Sequence, residues 1–155
     1  MTGAIAPAAL FVDTNVLVYP HDTSSPAKRT RAIEVLESVR RAGRGVIPVQ
    51  VLGEFYNPLT RKIKPPLTPR DAREAVLEYS AGWPVVPVTV AEVHQAVASA
   101  ARHQFHFWDA LIWAAAKTAG ASAVLTEDFQ DGRVIEGVLF LDPFRADFDL
   151  ARVLR

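Results

Sequence analysis

Five short apolar runs, separated mostly by helix-length segments, constrain this chain more than any other feature. They are "AALFVD" at 8–13, "GVIPV" at 45–49, "PVVPV" at 84–88, "SAVLT" at 122–126 and "GVLFLD" at 137–142. Short apolar runs bounded by polar and turn residues suit buried strands. Helices between strands act as crossovers, and crossovers of that kind join parallel neighbours. The pattern therefore predicts an α/β fold, a three-layer sandwich around a central, mainly parallel sheet of about five strands.

The intervening segments carry helix punctuation. A helix is expected from about Pro26 to Arg41, with Ile33, Leu36 and Val39 at helical spacing and Gly43 as a stop. Pro48 can open the next helix as its first residue, running to roughly Lys62 before "KPPL" breaks it. Pro58 lies inside that segment and predicts a kink or a split. Thr68 and Pro69 form a cap and first position, with Gly82 as the stop. Thr89 with Glu92 three residues on has capping-box spacing. A last helix, holding Asp109, ends near Gly120.

At 155 residues the chain reads as one domain, with residues 1–7 and 145–155 peripheral. The tail residues Phe148, Ala151 and Leu154 could make a short apolar face for a second subunit. Seventeen basic residues balance seventeen acidic ones, so no global field draws the chain to nucleic acid or to an anionic membrane. The lack of cysteine excludes disulfides and thiolate metal sites and fits a cytoplasmic setting. "MTGAIAPAALFV" has no basic start and is broken by Pro7, so no signal peptide is expected. "ALIWAAA" is too short to span a bilayer, so no membrane role is expected. Charge is unevenly spread. Nine bases face three acids between Lys28 and Lys64, and seven acids face two bases between Glu127 and Asp149. These are either solvated faces or a basic approach surface for a polyanion beside an acidic centre.

Four carboxylates stand out by position. Asp13 follows the first strand directly and Asp128 follows the fourth, and ligands of open α/β sheets gather at the carboxyl ends of strands. Glu54 lies on a polar helix stripe with Gln50, Asn57 and Arg61. Asp109 interrupts the apolar run "FWDALIWAAA", where an ionised carboxylate needs a partner. Each also has a purely structural reading: turn residue, solvated stripe, first-turn acid favoured by the helix dipole, or capped turn at Gly132. Glu127 and Asp131 compete with Asp128 for the same role. If the four converge on one sheet edge, their repulsion is relieved by a divalent cation, and all-oxygen ligation selects Mg²⁺ or Mn²⁺ over zinc. Such a site suits phosphodiester hydrolysis by a cation-activated water.

Other chemistries find less support. His103 and His106 are three apart but lack a further nitrogen or thiolate ligand. No G-x-S-x-G elbow and no phosphate-binding glycine loop occurs. "DTN" lacks the second aspartate that an aspartyl-phosphate phosphatase needs. Trp83, Trp108 and Trp113 could stack bases, though core packing is the simpler role.

The segments "FVDTNVLVYPHDTSSPAKRTRAIEVLE", "QVLGEFYNPLTRK", "FWDALIWAAAKTAG" and "VLTEDFQDGRVIEGVLFLDPF" together resemble the PIN-domain ribonucleases, specifically VapC-type toxins of bacterial toxin–antitoxin pairs. The resemblance covers roughly residues 8 to 144, with the four segments in family order, and departs from the family at Pro20, His21 and Pro58. It implies a Mg²⁺- or Mn²⁺-dependent endoribonuclease whose acidic quartet is Asp13, Glu54, Asp109 and Asp128. Asn15 and Thr126 match supporting polar positions, with Asp131 a further auxiliary. Arg29, Arg61 and Lys62 are candidates for guiding the RNA backbone. The resemblance also implies a homodimer restrained by an antitoxin protein. The alternative is a catalytically silent RNA- or protein-binding module on the same fold.

Overall fold

The structure is a computed structural model and describes residues 8–155. The expected peripheral stretch 1–7, and with it the start of the segment read for a signal peptide, lies outside the described residues. Six strands form one sheet: β1 (Leu10–Val12), β2 (Gly45–Pro48), β3 (Val85–Val86), β4 (Ala123–Leu125), β5 (Val134–Ile135) and β6 (Val138–Leu141). Their spatial order is β3-β2-β1-β4-β6-β5. Every pairing is parallel except β5 with β6, and the five parallel-paired strands are the five apolar runs. β5 is an addition to the expected strands. It is joined to β6 through Glu136 and Gly137, both at positive φ, in a two-residue hairpin.

Among the described residues, seven α-helices connect and flank the sheet: α1 (Thr14–Val18), α2 (Pro26–Arg41), α3 (Val49–Arg61), α4 (Pro69–Gly82), α5 (Val90–His103), α6 (Phe107–Thr118) and α7 (Leu150–Val153). Local caps set several starts. Thr68 accepts from Asp71 N, and Thr89 and Glu92 form the reciprocal box at α5. Pro48 does not open α3 as expected. It ends β2 in extended conformation, opposite Val86, because a residue without N–H is tolerated at a strand end. Nor is α3 split at Pro58, which stays within one helix and whose carbonyl accepts from both Lys62 and Ile63 N–H.

Buried side chains from the strands and helices make one continuous core, with Phe11, Leu17, Phe55, Trp113 and Phe140 among the largest fully buried groups. The Trp113 indole N–H donates to the Ile135 carbonyl at 3.1 Å, which satisfies its one polar atom inside that core. Gly45 is required by close packing. A Cβ there would lie 2.1 Å from the Trp83 ring. The C-terminal tail turns back on its own chain rather than presenting the apolar face considered from sequence. Phe148 and Leu154 pack against the core while Ala151 is exposed. Arg31 donates to the carbonyls of Pro143 and Phe148, and Arg44 to those of Ala8 and Val153. Two bases of the 28–64 run are thus spent on internal backbone carbonyls.

Strand order fixes where a ligand can enter. From β1 the chain runs outward through β2 to β3, then returns to place β4 on the other side of β1. The connections diverge at the carboxyl ends of β1 and β4, a topological switch point with an open crevice. Among the described residues, no helix is long and apolar enough to cross a membrane.

Candidate metal centre

Asp13 and the 126–128 turn sit at that switch point because β1 ends at Val12 and β4 at Leu125. Asp13 caps α1 and is buried. Its Oδ1 accepts from the Thr14 N–H at 2.6 Å, and its Oδ2 accepts from the Thr126 hydroxyl at 2.7 Å. The Thr126 hydroxyl in turn accepts from the Asp128 N–H at 3.1 Å. Asn15, the second residue of α1, donates to Asp128 Oδ2 at 3.0 Å. Asp109 enters from the other side, in the first turn of α6. One carboxylate oxygen each from Asp13, Asp109 and Asp128 lies within 4.8 Å of the other two.

Glu54 is a neighbour of this cluster and not a fourth member at that separation. Its Oε2 accepts from the Thr14 hydroxyl at 3.0 Å, and its Oε1 accepts from the Gln50 amide at 2.8 Å. The same Gln50 nitrogen donates to the Trp108 carbonyl at 3.1 Å, next to Asp109. Half of the polar stripe on α3 therefore faces the crevice, while Asn57 and Arg61 are exposed.

No cationic side chain hydrogen-bonds or ion-pairs with Asp13, Asp109 or Asp128 among the described residues, and their ionisation shows the consequence. Burial pushes the Asp13 carboxyl up from 3.8 to about 7, against the lowering effect of Thr126 and Thr14, and Asp128 and Asp109 add repulsion. Asp109 rises to about 6 through burial and repulsion from Asp128 and Glu54, opposed by His106. Asp128, at the exposed rim, is also raised, by desolvation and Glu127, with Lys62 and Lys28 opposing. Three carboxyls that resist ionisation together lack one thing, a positive charge between them. A hard divalent cation with oxygen ligands fits this donor set, and the cluster supplies neither nitrogen nor sulfur.

The remaining sequence candidates divide. Asp131 is not brought to the cluster. Its Oδ1 accepts from Asp142 N–H at 2.8 Å and its Oδ2 lies 3.4 Å from Arg145 Nε, because the turn after Asp128 carries it towards the 142–145 loop. Glu127 also points elsewhere, pairing with Lys28 and the Tyr19 hydroxyl. The charge of Lys62 acts to lower the pKa of the Asp128 carboxyl against its burial. Arg29 is tied to the Pro20 carbonyl at 3.0 Å, and Arg61 stands exposed at the end of α3. His103 faces Glu136 at 3.5 Å, away from the cluster, and His106 stands just before α6 near Asp109. Trp83 and Trp113 are core residues, and only Trp108 is exposed. Sequence reading missed the roles of Thr14 and Gln50. Gln50 lay in the stripe four residues before Glu54, whereas Lys28 and Glu127, far apart in sequence, gave no signal.

The sequence model of the PIN domain matches residues 10–134. No curated protein matches the chain in sequence. Among solved structures, the chain is similar to Mycobacterium tuberculosis VapC20, described as a sarcin–ricin loop cleaving toxin. The TM-score is 0.63 at 24% identity, covering 77% of this chain and 92% of that one. A toxin–antitoxin complex from Klebsiella pneumoniae matches with a TM-score of 0.62 at 19% identity, over 87% and 97% of the two chains. DNA-bound VapBC from Salmonella typhimurium gives 0.61 at 18% identity, over 87% and 98%.

Proposed function

Because the chain belongs to the PIN-domain family, we propose that it is a Mg²⁺- or Mn²⁺-dependent endoribonuclease, the toxin of a toxin–antitoxin pair. The observation that carries this reading is the set of three aspartates at the switch point, close together and with no cationic side chain hydrogen-bonded or ion-paired to them among the described residues. Asp13, Asp109 and Asp128 would hold the cation. When bound, it supplies a lowered pKa for water and stabilises charge developing on phosphate oxygens.

The chain's own groups account for the rest. Thr126 and the Thr14 N–H fix the Asp13 carboxylate, and Asn15 fixes Asp128, so that the ligating oxygens are set before substrate arrives. Glu54, held by Thr14 and Gln50, would accept a hydrogen bond from the attacking water and so aim it. The water oxygen bonds to phosphorus and gives up one proton, the bond to the leaving nucleoside oxygen breaks, and that oxygen takes up a proton from solvent, so the step is proton-neutral overall. Lys62, with Arg61 and Arg29 further out, would guide the RNA backbone, which makes cutting sensitive to salt. A single domain, a homodimer, a cytoplasmic setting and a cognate antitoxin complete the proposal. The antitoxin is supported by the similarity to toxin–antitoxin complexes.

The test is incubation of antitoxin-free protein with structured RNAs and Mg²⁺ or Mn²⁺, beside EDTA and an Asp109→Asn variant. Internal cutting that needs both the cation and Asp109 is expected. Cutting that survives both controls would overturn the mechanism, and no cutting on any RNA would put the silent binding module in its place.

A further inference from the structure

We propose that Gln50 is a positioning residue of the candidate centre, which clamps Glu54 to the start of α6 at the cost of its own buried, unpartnered carbonyl oxygen. This rests on the nuclease reading above and adds to it a residue outside the acidic quartet. Gln50 Nε2 donates to Glu54 Oε1 and to the Trp108 carbonyl, at 2.8 and 3.1 Å, so one amide group joins α3 to the helix turn that carries Asp109. Its Oε1 is buried and has no hydrogen-bond partner among the described residues. Turning the amide over would set that oxygen against two acceptors, so the donor side dictates the orientation and the acceptor goes without. An unsatisfied buried acceptor weakens a fold, and such groups are kept where they serve a site.

The arrangement also explains why Glu54 stands back from the three aspartates. With Thr14 holding Oε2 and Gln50 holding Oε1, both oxygens are fixed by neutral donors. Glu54 is thus held beside the cluster without joining it. Gln50 acts only through Glu54 and the Trp108 backbone. A residue with a merely packing role would leave no such dependence on Glu54.

The test compares wild type with Gln50→Met, which fills similar space without polar atoms, and with Gln50→Ala as a second variant. Each is also combined with Glu54→Gln in the full-length, antitoxin-free protein. Two readouts are used: Mn²⁺ affinity by calorimetry, and kcat with KM on a cleaved RNA. Removing Gln50 is expected to weaken Mn²⁺ binding by about threefold or more and to lower kcat more than it raises KM. Both effects should shrink when Glu54→Gln is already present, leaving only the part carried by the Trp108 contact, as coupling between contacting residues requires. Unfolding in EDTA should show Gln50→Met no less stable than wild type. Equal Mn²⁺ affinity in Gln50→Met and wild type, or the same loss with and without Glu54→Gln, would overturn the role. Absence of wild-type cutting would sink the nuclease reading alone, and the Mn²⁺ titrations would still decide on Gln50.

Discussion

Replacing Asp13 by asparagine should make the cation-free protein more stable above neutral pH and remove its response to divalent cations. The asparagine carbonyl can accept from Thr14 N–H as Asp13 Oδ1 does, and its amide can donate to Thr126 once that hydroxyl rotates. What changes is the charge. Asp13 titrates at about 7 in the folded chain against 3.8 as its ordinary value, so between those values the folded state binds more protons than the unfolded one. Stability therefore falls as pH rises from about 4 to about 7 and is flat beyond. A gap of about 3 pH units corresponds to on the order of 4 kcal/mol as an upper bound. Coupling to Asp109 and Asp128 and an imperfect amide fit bring it to on the order of 2 kcal/mol, or a Tm increase of roughly 6 °C for a domain of this size. Thermal unfolding in EDTA at pH 4 and pH 8 measures this. The variant should melt higher at pH 8 and level with wild type at pH 4. Mn²⁺ at about a hundred times its dissociation constant should then raise wild type by about 2.7 kcal/mol and leave the variant behind. A lower Tm for Asp13→Asn at pH 8 in EDTA, or a gap independent of pH, would refute the argument from uncompensated burial.

Further outcomes are expected elsewhere. Asn15→Ala frees Asp128 from its 3.0 Å hydrogen bond and should weaken Mn²⁺ binding several-fold while changing Tm by less than about 1 kcal/mol equivalent, readable by calorimetry and melting. Gly45→Ala drives a Cβ into the Trp83 ring and should cost about 1–3 kcal/mol or more in a urea titration. Thr89→Ala removes the hydroxyl half of the α5 capping box, leaving Glu92 to accept from the backbone N–H at that position, and should cost about 1 kcal/mol in the same assay. RNA cutting should decline steeply as salt rises, and Lys62→Ala should flatten that dependence.

How much of this was legible beforehand follows the range of the interactions. The strands and most helix starts could be read because their causes are local: apolar runs, Thr68 before Pro69, Thr89 three residues before Glu92. β5 escaped because it is two residues long and its hairpin turn is Glu136–Gly137, without the Asn-Gly or Asp-Gly signal. Pro48 was placed one step too far along because helix opening and strand ending both tolerate a missing N–H, and only pairing with β3 distinguishes them. Asp13, Asp109 and Asp128 could be singled out by position, but their approach depends on the order β1-β4 in the sheet, which no local pattern encodes. Asp131 and Glu127 have the same composition cues as Asp128 and were separated from it only by partners far along the chain, Asp142 and Arg145 for one, Lys28 and Tyr19 for the other. In the basic run from 28 to 64, Lys28 is likewise paired with Glu127, and the Arg31 and Arg44 heads are anchored on backbone carbonyls.

The central claim is that Asp13, Asp109 and Asp128 hold one site for a divalent cation. Anomalous X-ray diffraction from crystals of the antitoxin-free protein soaked in Mn²⁺ tests it most directly. The account predicts a peak within ordinary oxygen-ligand distance of all three carboxylates, lost in the Asp109→Asn variant. Saturating Mn²⁺ that leaves this position empty, or that binds only elsewhere on the surface, would contradict it.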